Sequence, residues 1–267
     1  MSTSRFCSIT LLVAVGCEPA ELTFPGADLG DLGDGSGNAV VDSDGDGLTD
    51  DEEYELGTDP DSSDTDLDGW EDYEEFVRNT DPTNGMDKPY TGGWPIGDCR
   101  NDIDADNTLS EGGIAPNFEL VDMYGDTVRL HDFCHMAVLV VSGFETCGGC
   151  IQYRTDMAQF MDQYFDRGLM VIDFLAQNSA GATPNEEDLT RWADGHNYAV
   201  LADPNWGTTS TGYDKDNSYP SISLLGPGAE VIMLDARDAD TLIEDHLPEG
   251  FSLPDYVQGD MDDGASR

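Results

Sequence analysis

Ala137-Val-Leu-Val-Val-Ser-Gly-Phe-Glu-Thr-Cys147-Gly-Gly-Cys150 is the stretch on which the reading of the fold turns. Its first half, Ala137 to Ser142, is a short continuous apolar run with the character of a buried strand. After Cys150 the pattern changes: Tyr153, Met157, Phe160, Met161 and Tyr164 recur at helical spacing. The two cysteines therefore fall where a strand gives way to a helix. A thiol at a helix N-terminus meets unpaired backbone N–H groups and the positive end of the dipole, which favour the thiolate. A thiolate is the attacking species in thiol–disulfide exchange, so Cys147 is the candidate nucleophile and Cys150 its resolving partner. Zinc sites use the same two-residue spacing but need four ligands. His131, Cys134 and His135 offer donors without forming a second close pair, so redox chemistry is the stronger reading.

Working outward, further segments follow in a consistent order. Ala115-Pro-Asn-Phe-Glu-Leu120, Tyr124 to Leu130 and Asp132-Phe133 read as an opening hairpin. Leu169-Met-Val-Ile-Asp-Phe174 reads as a strand, Glu186 to His196 as a helix, and Val200-Leu-Ala-Asp-Pro204 as a short strand. Tyr219-Pro220-Ser-Ile-Ser-Leu-Leu225 and Glu230-Val-Ile-Met-Leu234 read as two closing strands. With the cysteine pair, residues 114–246 resemble the thioredoxin-like redoxins, including cytochrome-maturation thioredoxins and the alkyl hydroperoxide reductase/thiol-specific antioxidant group. The resemblance implies an α/β, thioredoxin-like fold with a central mixed sheet flanked by helices. It also implies a cis proline at Pro220 packed against the cysteines, with Tyr219 lining the docking site of a partner strand; an ordinary trans proline at a strand start is the alternative. Departures stand beside it. Val141 occupies the place of a buried aspartate in thioredoxins, and Tyr153 that of a glutamate in the cytochrome-maturation group. Thr146 replaces the usual tryptophan and Gly149 a frequent proline. Phe144 stands where peroxidatic redoxins place a threonine, which makes a thiol peroxidase the less favoured enzyme.

Residues 42–82 carry a second pattern. Asp42, Asp44, Asp46, Leu48, Asp50 and Glu53 fall at positions 1, 3, 5, 7, 9 and 12 of a loop with Gly47 at position 6. Asp64, Asp66, Asp68, Trp70, Asp72 and Glu75 repeat the arrangement around Gly69 with a period of 22 residues. Monodentate carboxylates, a backbone carbonyl at position 7 and a bidentate glutamate at 12 suit Ca²⁺. The period is too short for the paired helices of an EF-hand. With Thr58-Asp59-Pro60 recurring as Thr80-Asp81-Pro82, the segment resembles thrombospondin type 3 repeats of bacterial secreted proteins, which implies two or more calcium ions. Asp59 and Asp81 are further candidate ligands. An acidic disordered linker is the compositional alternative. No organic cofactor is expected.

At the N-terminus, Arg5 precedes an apolar run from Phe6 to Gly16, the length of a signal-peptide core and too short to span a bilayer. Ala14-Val-Gly-Cys17 is similar to a bacterial lipobox, with Ala14 in place of the usual leucine. That likeness implies acylation of Cys17 and a lipid-anchored protein of the bacterial cell envelope; plain secretion is the alternative. Cys99 and Cys134 then remain as a candidate structural disulfide, or as two free buried thiols. The domain reading is a signal peptide over 1–16, a lipidated tether over 17–41, calcium repeats over 42–87 and a connection over 88–113. A thioredoxin-like domain follows over 114–258, with a disordered tail over 259–267. The net charge of −45 argues against nucleic acid as a partner. The expected partners are protein thiols and disulfides, and the membrane through the lipid at Cys17. The expected function is an anchored, extracytoplasmic thiol–disulfide oxidoreductase on a calcium-stiffened stalk; the alternative is a calcium-binding scaffold lipoprotein with an inactive redoxin domain.

Overall fold

Helices α1 (Asp50–Leu56) and α2 (Asp72–Val77) open the computed structural model, which describes residues 41–254 and 256–257. The hairpin β1 (Glu119–Val121) and β2 (Thr127–Arg129) follows, then β3 (Ala137–Gly143), α3 (Gly148–Tyr164), β4 (Leu169–Leu175), α4 (Glu186–Ala193) and β5 (Ala199–Ala202). Strands β6 (Ser221–Gly226) and β7 (Glu230–Met233) and the short α5 (Ile243–His246) complete the order. The expected signal peptide, Cys17, the tether up to residue 40 and the tail lie outside the described residues. No described helix is long and apolar enough to cross a membrane.

The main sheet has five strands in the order β5-β4-β3-β6-β7. β3 pairs in parallel with β4, and β4 with β5, while β6 and β7 join on the other side in antiparallel fashion. Every residue of β3 and β4 is buried, as continuous apolar runs in the middle of a covered sheet require. α3 packs on this sheet through Cys150, Met157 and Met161, and α4 through Leu189, Trp192 and Ala193. Asn185 caps α4 in a reciprocal box with Asp188, and Asp194 ends it in the left-handed conformation, so the helix stops short of the His196 expected from the resemblance. Single bridges, Asp122 to Leu201 and Ile114 to Glu230, lie against the outer strands β5 and β7. The fold is thioredoxin-like α/β, a mixed sheet flanked by helices.

The core reaches further back than the apolar pattern suggests. Tyr90, Trp94 and Ile96, in the Gly/Asp-rich connection, are buried in the same cluster as β3 and β4. Arg100 holds Asp87 through both guanidinium ends and lies 3.5 Å from Asp132, and Tyr90 donates to Asp132. Upstream, Asn79 Nδ2 donates to the Ile96 carbonyl at 2.8 Å, and the Arg78 guanidinium sits over the Trp70 and Tyr256 rings. The acidic repeats thus pack directly on the core of the main sheet.

Candidate active site and acidic loops

Cys147 is the N-cap of α3, and its Sγ accepts the backbone N–H of Cys150 at 3.1 Å. The two cysteines form a disulfide. Both are buried, at 8% and 3% exposure, while Gly148 and Gly149 between them are open to solvent. Gly143, closing β3, lies so close beneath that a Cβ there would meet Cys150 Sγ at 2.8 Å. From the other side comes Pro220, whose bond to Tyr219 is cis. A Cβ on Gly149 would stand 3.2 Å from Pro220 Cδ and 3.3 Å from the Tyr219 carbonyl oxygen. The proline ring and that backbone carbonyl therefore face the cysteine turn directly.

Neither Val141 nor Tyr153 supplies a carboxylate; the Tyr153 hydroxyl donates instead to Asp240 at 2.8 Å. The sheet does bring one to this region. Asp173 on β4 is the register partner of Val141 on β3, so the two side chains share a face. Asp173 is 2% exposed and accepts a 2.7 Å hydrogen bond from Trp192 Nε1. Burial pushes its carboxyl up to about 7 against the pull of the Trp192 hydrogen bond and the Arg154 charge. A charged residue inside the run Leu169 to Phe174 was the available sign, but only strand register places it beside Val141.

Cys99 and Cys134 form a second disulfide with the Cα atoms 6.0 Å apart. A Cβ on Gly97 would meet Cys134 Sγ at 2.5 Å, so the chain passes tightly over this bridge. His135 Nδ1 lies 3.4 Å from Cys99 Sγ, and its Nε2 is 2.5 Å from Asp98. Zinc ligation by His131, Cys134 and His135 together finds no support, because His131 is turned to the Ala115 carbonyl.

In the acidic segment each loop leads into one short helix. Asp42, Asp44 and Asp46 bring carboxylate oxygens within 4.8 Å of one another, and Asp64, Asp66 and Asp68 do the same. Glu53 and Glu75 are fully buried, and Glu53 Oε2, Glu75 Oε2, Asp44 Oδ2, Asp66 Oδ2 and Asp68 Oδ2 are buried without a hydrogen-bond partner. Burial first, then neighbouring aspartates, push Glu53 up to about 7 and Glu75 up to about 8. Buried, unpartnered carboxylates in such number require a counter-charge, and hard oxygen donors fit Ca²⁺. Asp50 and Asp72 are engaged otherwise: each takes the N–H and hydroxyl of the residue at loop position 2, Ser43 and Thr65 respectively. Asp46 Oδ2 accepts the Tyr73 N–H, tying the first loop to the helix of the second. Leu48 is buried and Trp70 half-buried at the two carbonyl positions.

The fold and the cysteine turn together define a domain of thioredoxin-like fold with a CxxC disulfide at the start of a helix. The sequence model of the AhpC/TSA family matches residues 112–221. No curated protein matches the chain. Similar solved structures include the thioredoxin domain of a thiol-disulfide oxidoreductase from Bacteroides vulgatus, at 18% identity and TM-score 0.41, covering 52% of this chain and 99% of that one. A thiol:disulfide interchange protein from Bacteroides sp. shares 20% identity at TM-score 0.42, over 53% and 93% of the two chains. The pneumococcal exposed lipoprotein thioredoxin of Streptococcus pneumoniae shares 21% at TM-score 0.40, over 49% and 97%.

Proposed function

We propose that this protein is an extracytoplasmic thiol–disulfide oxidoreductase acting through Cys147 and Cys150. What carries the reading is the joint placement of the pair: a sulfur at the N-terminus of α3, opposite cis Pro220 and the Tyr219 carbonyl. In the reduced protein the helix N-terminus favours the Cys147 thiolate. It attacks a partner disulfide, forming a mixed disulfide and releasing one partner thiolate. Cys150 then attacks Cys147 Sγ, closing the enzyme disulfide and releasing the second partner thiol; two electrons have passed to the partner. Asp173, the buried carboxylate that shares a sheet face with Val141, is the candidate acceptor for the Cys150 proton.

The acidic loops bind two calcium ions in this reading. The first is held by Asp42, Asp44, Asp46, the Leu48 carbonyl and Glu53, and the second by Asp64, Asp66, Asp68, the Trp70 carbonyl and Glu75. Bound calcium supplies the positive charge that lets these carboxylates share a small volume. Asp50 and Asp72 brace the loops through Ser43 and Thr65. Supported by these contacts, the repeats form a stiff base against the redoxin core, and a lipid at Cys17 attaches the assembly to the cell envelope. The absence of carboxylates at Val141 and Tyr153 is the observation that favours the scaffold alternative, and Asp173 weakens it.

The test is trapping. Cys150→Ser, reacted with a disulfide-bearing protein, should accumulate a mixed disulfide that tryptic mass spectrometry places on Cys147. A Cys150→Ser protein that forms none under conditions where its fold persists would refute the oxidoreductase reading.

A further inference from the structure

Three aromatic side chains rim the cysteine turn. Phe144 lies just before Cys147, and its ring centroid is 5.4 Å from that of Tyr219, the residue preceding cis Pro220. Trp206 closes the triangle, 5.7 Å from Phe144 and 5.0 Å from Tyr219. All three are part-exposed. Trp206 is held there against backbone preference: it has φ +58°, directly after Asn205 at +56°. The left-handed region is disfavoured for a bulky residue. Asp203 offsets that cost: it is fully buried, and its carboxylate accepts the N–H groups of Thr208 at 2.7 Å and Thr209 at 2.8 Å. The turn thereby seats an indole beside the lip of the site, where the chain has only Thr146 next to Cys147.

At the hydroxyl edge of Tyr219 stand carboxylates. The Tyr219 hydroxyl donates to Asp214, and oxygens of Asp214, Asp216 and Asp235 lie within 4.8 Å of one another. Two cations share this stretch, and both are engaged. Lys215 Nζ lies 3.0 Å from Glu111 and also reaches the Leu234 carbonyl, while Arg237 donates to Ser218. Aromatic faces with carboxylates beside them attract a cationic side chain. We propose that the Phe144–Trp206–Tyr219 rim and the Asp214–Asp216–Asp235 carboxylates form a specificity subsite for a lysine or arginine flanking the reacting cysteine of an extended partner segment. The subsite rests on the oxidoreductase reading and names its substrate class. The chain's net charge of −45 draws such segments in from a distance.

The test uses the full chain, dithiothreitol as final electron donor, and three blocked hexapeptides presented as disulfide-linked homodimers. The peptides differ only in carrying Lys, Gln or Glu on both sides of the cysteine. Above the uncatalysed rate, kcat/KM should fall in the order Lys, Gln, Glu, with about tenfold or more between the extremes at low salt. In about 0.5 M sodium chloride the Lys-to-Gln preference should shrink but persist, since a contact at short range is screened less than steering. Trp206→Ala and Asp214→Asn should each reduce the Lys-to-Gln ratio several-fold, and Trp206→Phe should keep most of it. The ratio is internal to each variant and is read independently of any general loss of rate. Equal kcat/KM for all three peptides would overturn the subsite and leave the oxidoreductase standing. So would a preference that vanishes in salt and ignores both substitutions, because it would belong to net charge alone. Turnover of none of the peptides by the reduced protein would bring down both.

Discussion

Asp173 shows how a single buried group links stability to pH. Its carboxyl is raised to about 7 in the folded protein, above the value of an unfolded chain. Between about pH 4 and 7 the unfolded state therefore binds fewer protons than the native one, and stability falls as pH rises through that window. Asp173→Asn removes this loss. The difference in unfolding free energy between the variant and the parent should grow in the variant's favour from pH 4 to pH 8, by on the order of 2–4 kcal/mol. Denaturant titrations at several pH values read it, and parallel pH profiles would contradict the assignment. Cys147, Cys150, Tyr219 and Pro220 were legible in the chain because their motifs come in a fixed order with local spacing. Asp173 and Trp206 were not: the first depends on which residue of β4 lies beside Val141, the second on a left-handed turn that nothing in Pro204-Asn205-Trp206-Gly207 announces.

At the scale of elements, the meeting of β3 and α3 leaves no room for a side chain at Gly143. Gly143→Ala would drive a Cβ to 2.8 Å from Cys150 Sγ, so it should cost about 1–3 kcal/mol and displace the cysteine turn. Thermal unfolding and the rate of mixed-disulfide formation would report the two effects; a variant matching the parent in both would show that β3 and α3 yield easily. The loops preceding α1 and α2 make a second expectation. Asp44→Ala with Asp66→Ala should remove most calcium binding measured by calorimetry, and the parent should be more resistant to proteolysis in residues 41–87 with calcium than with chelator. Equal resistance in both would count against the calcium assignment. Strand β3 and helix α3 were readable from their apolar pattern, and the remaining strands and α4 from the order of motifs that carries the redoxin resemblance, with ends shifting by a few positions. Inside the acidic loops, motif position made Asp50 and Asp72 candidate ligands, and the fold adds what spacing does not announce: their carboxylates also accept from Ser43 and Thr65.

Across the whole molecule, the connection that composition marks as a linker contributes Tyr90, Trp94 and Ile96 to the redoxin core. Three apolar residues without periodicity among glycines and aspartates give no sequence signal of burial; only the closed fold shows it. A fragment beginning at residue 88 should therefore fold, while one beginning at residue 98 should be several kcal/mol less stable, given about 1.5–3 kcal/mol for each large apolar side chain buried. Equal unfolding midpoints would contradict that packing. The repeats touch this region through Asn79 and Arg78, at Ile96 and Tyr256, so calcium should stiffen the base without altering the chemistry at Cys147. The most direct test of the central claim is reduction of insulin disulfides, with dithiothreitol as electron donor, by the parent protein and by Cys147→Ser. The parent should accelerate the reaction well above the dithiothreitol background and Cys147→Ser should not exceed it; full activity in Cys147→Ser would contradict the account.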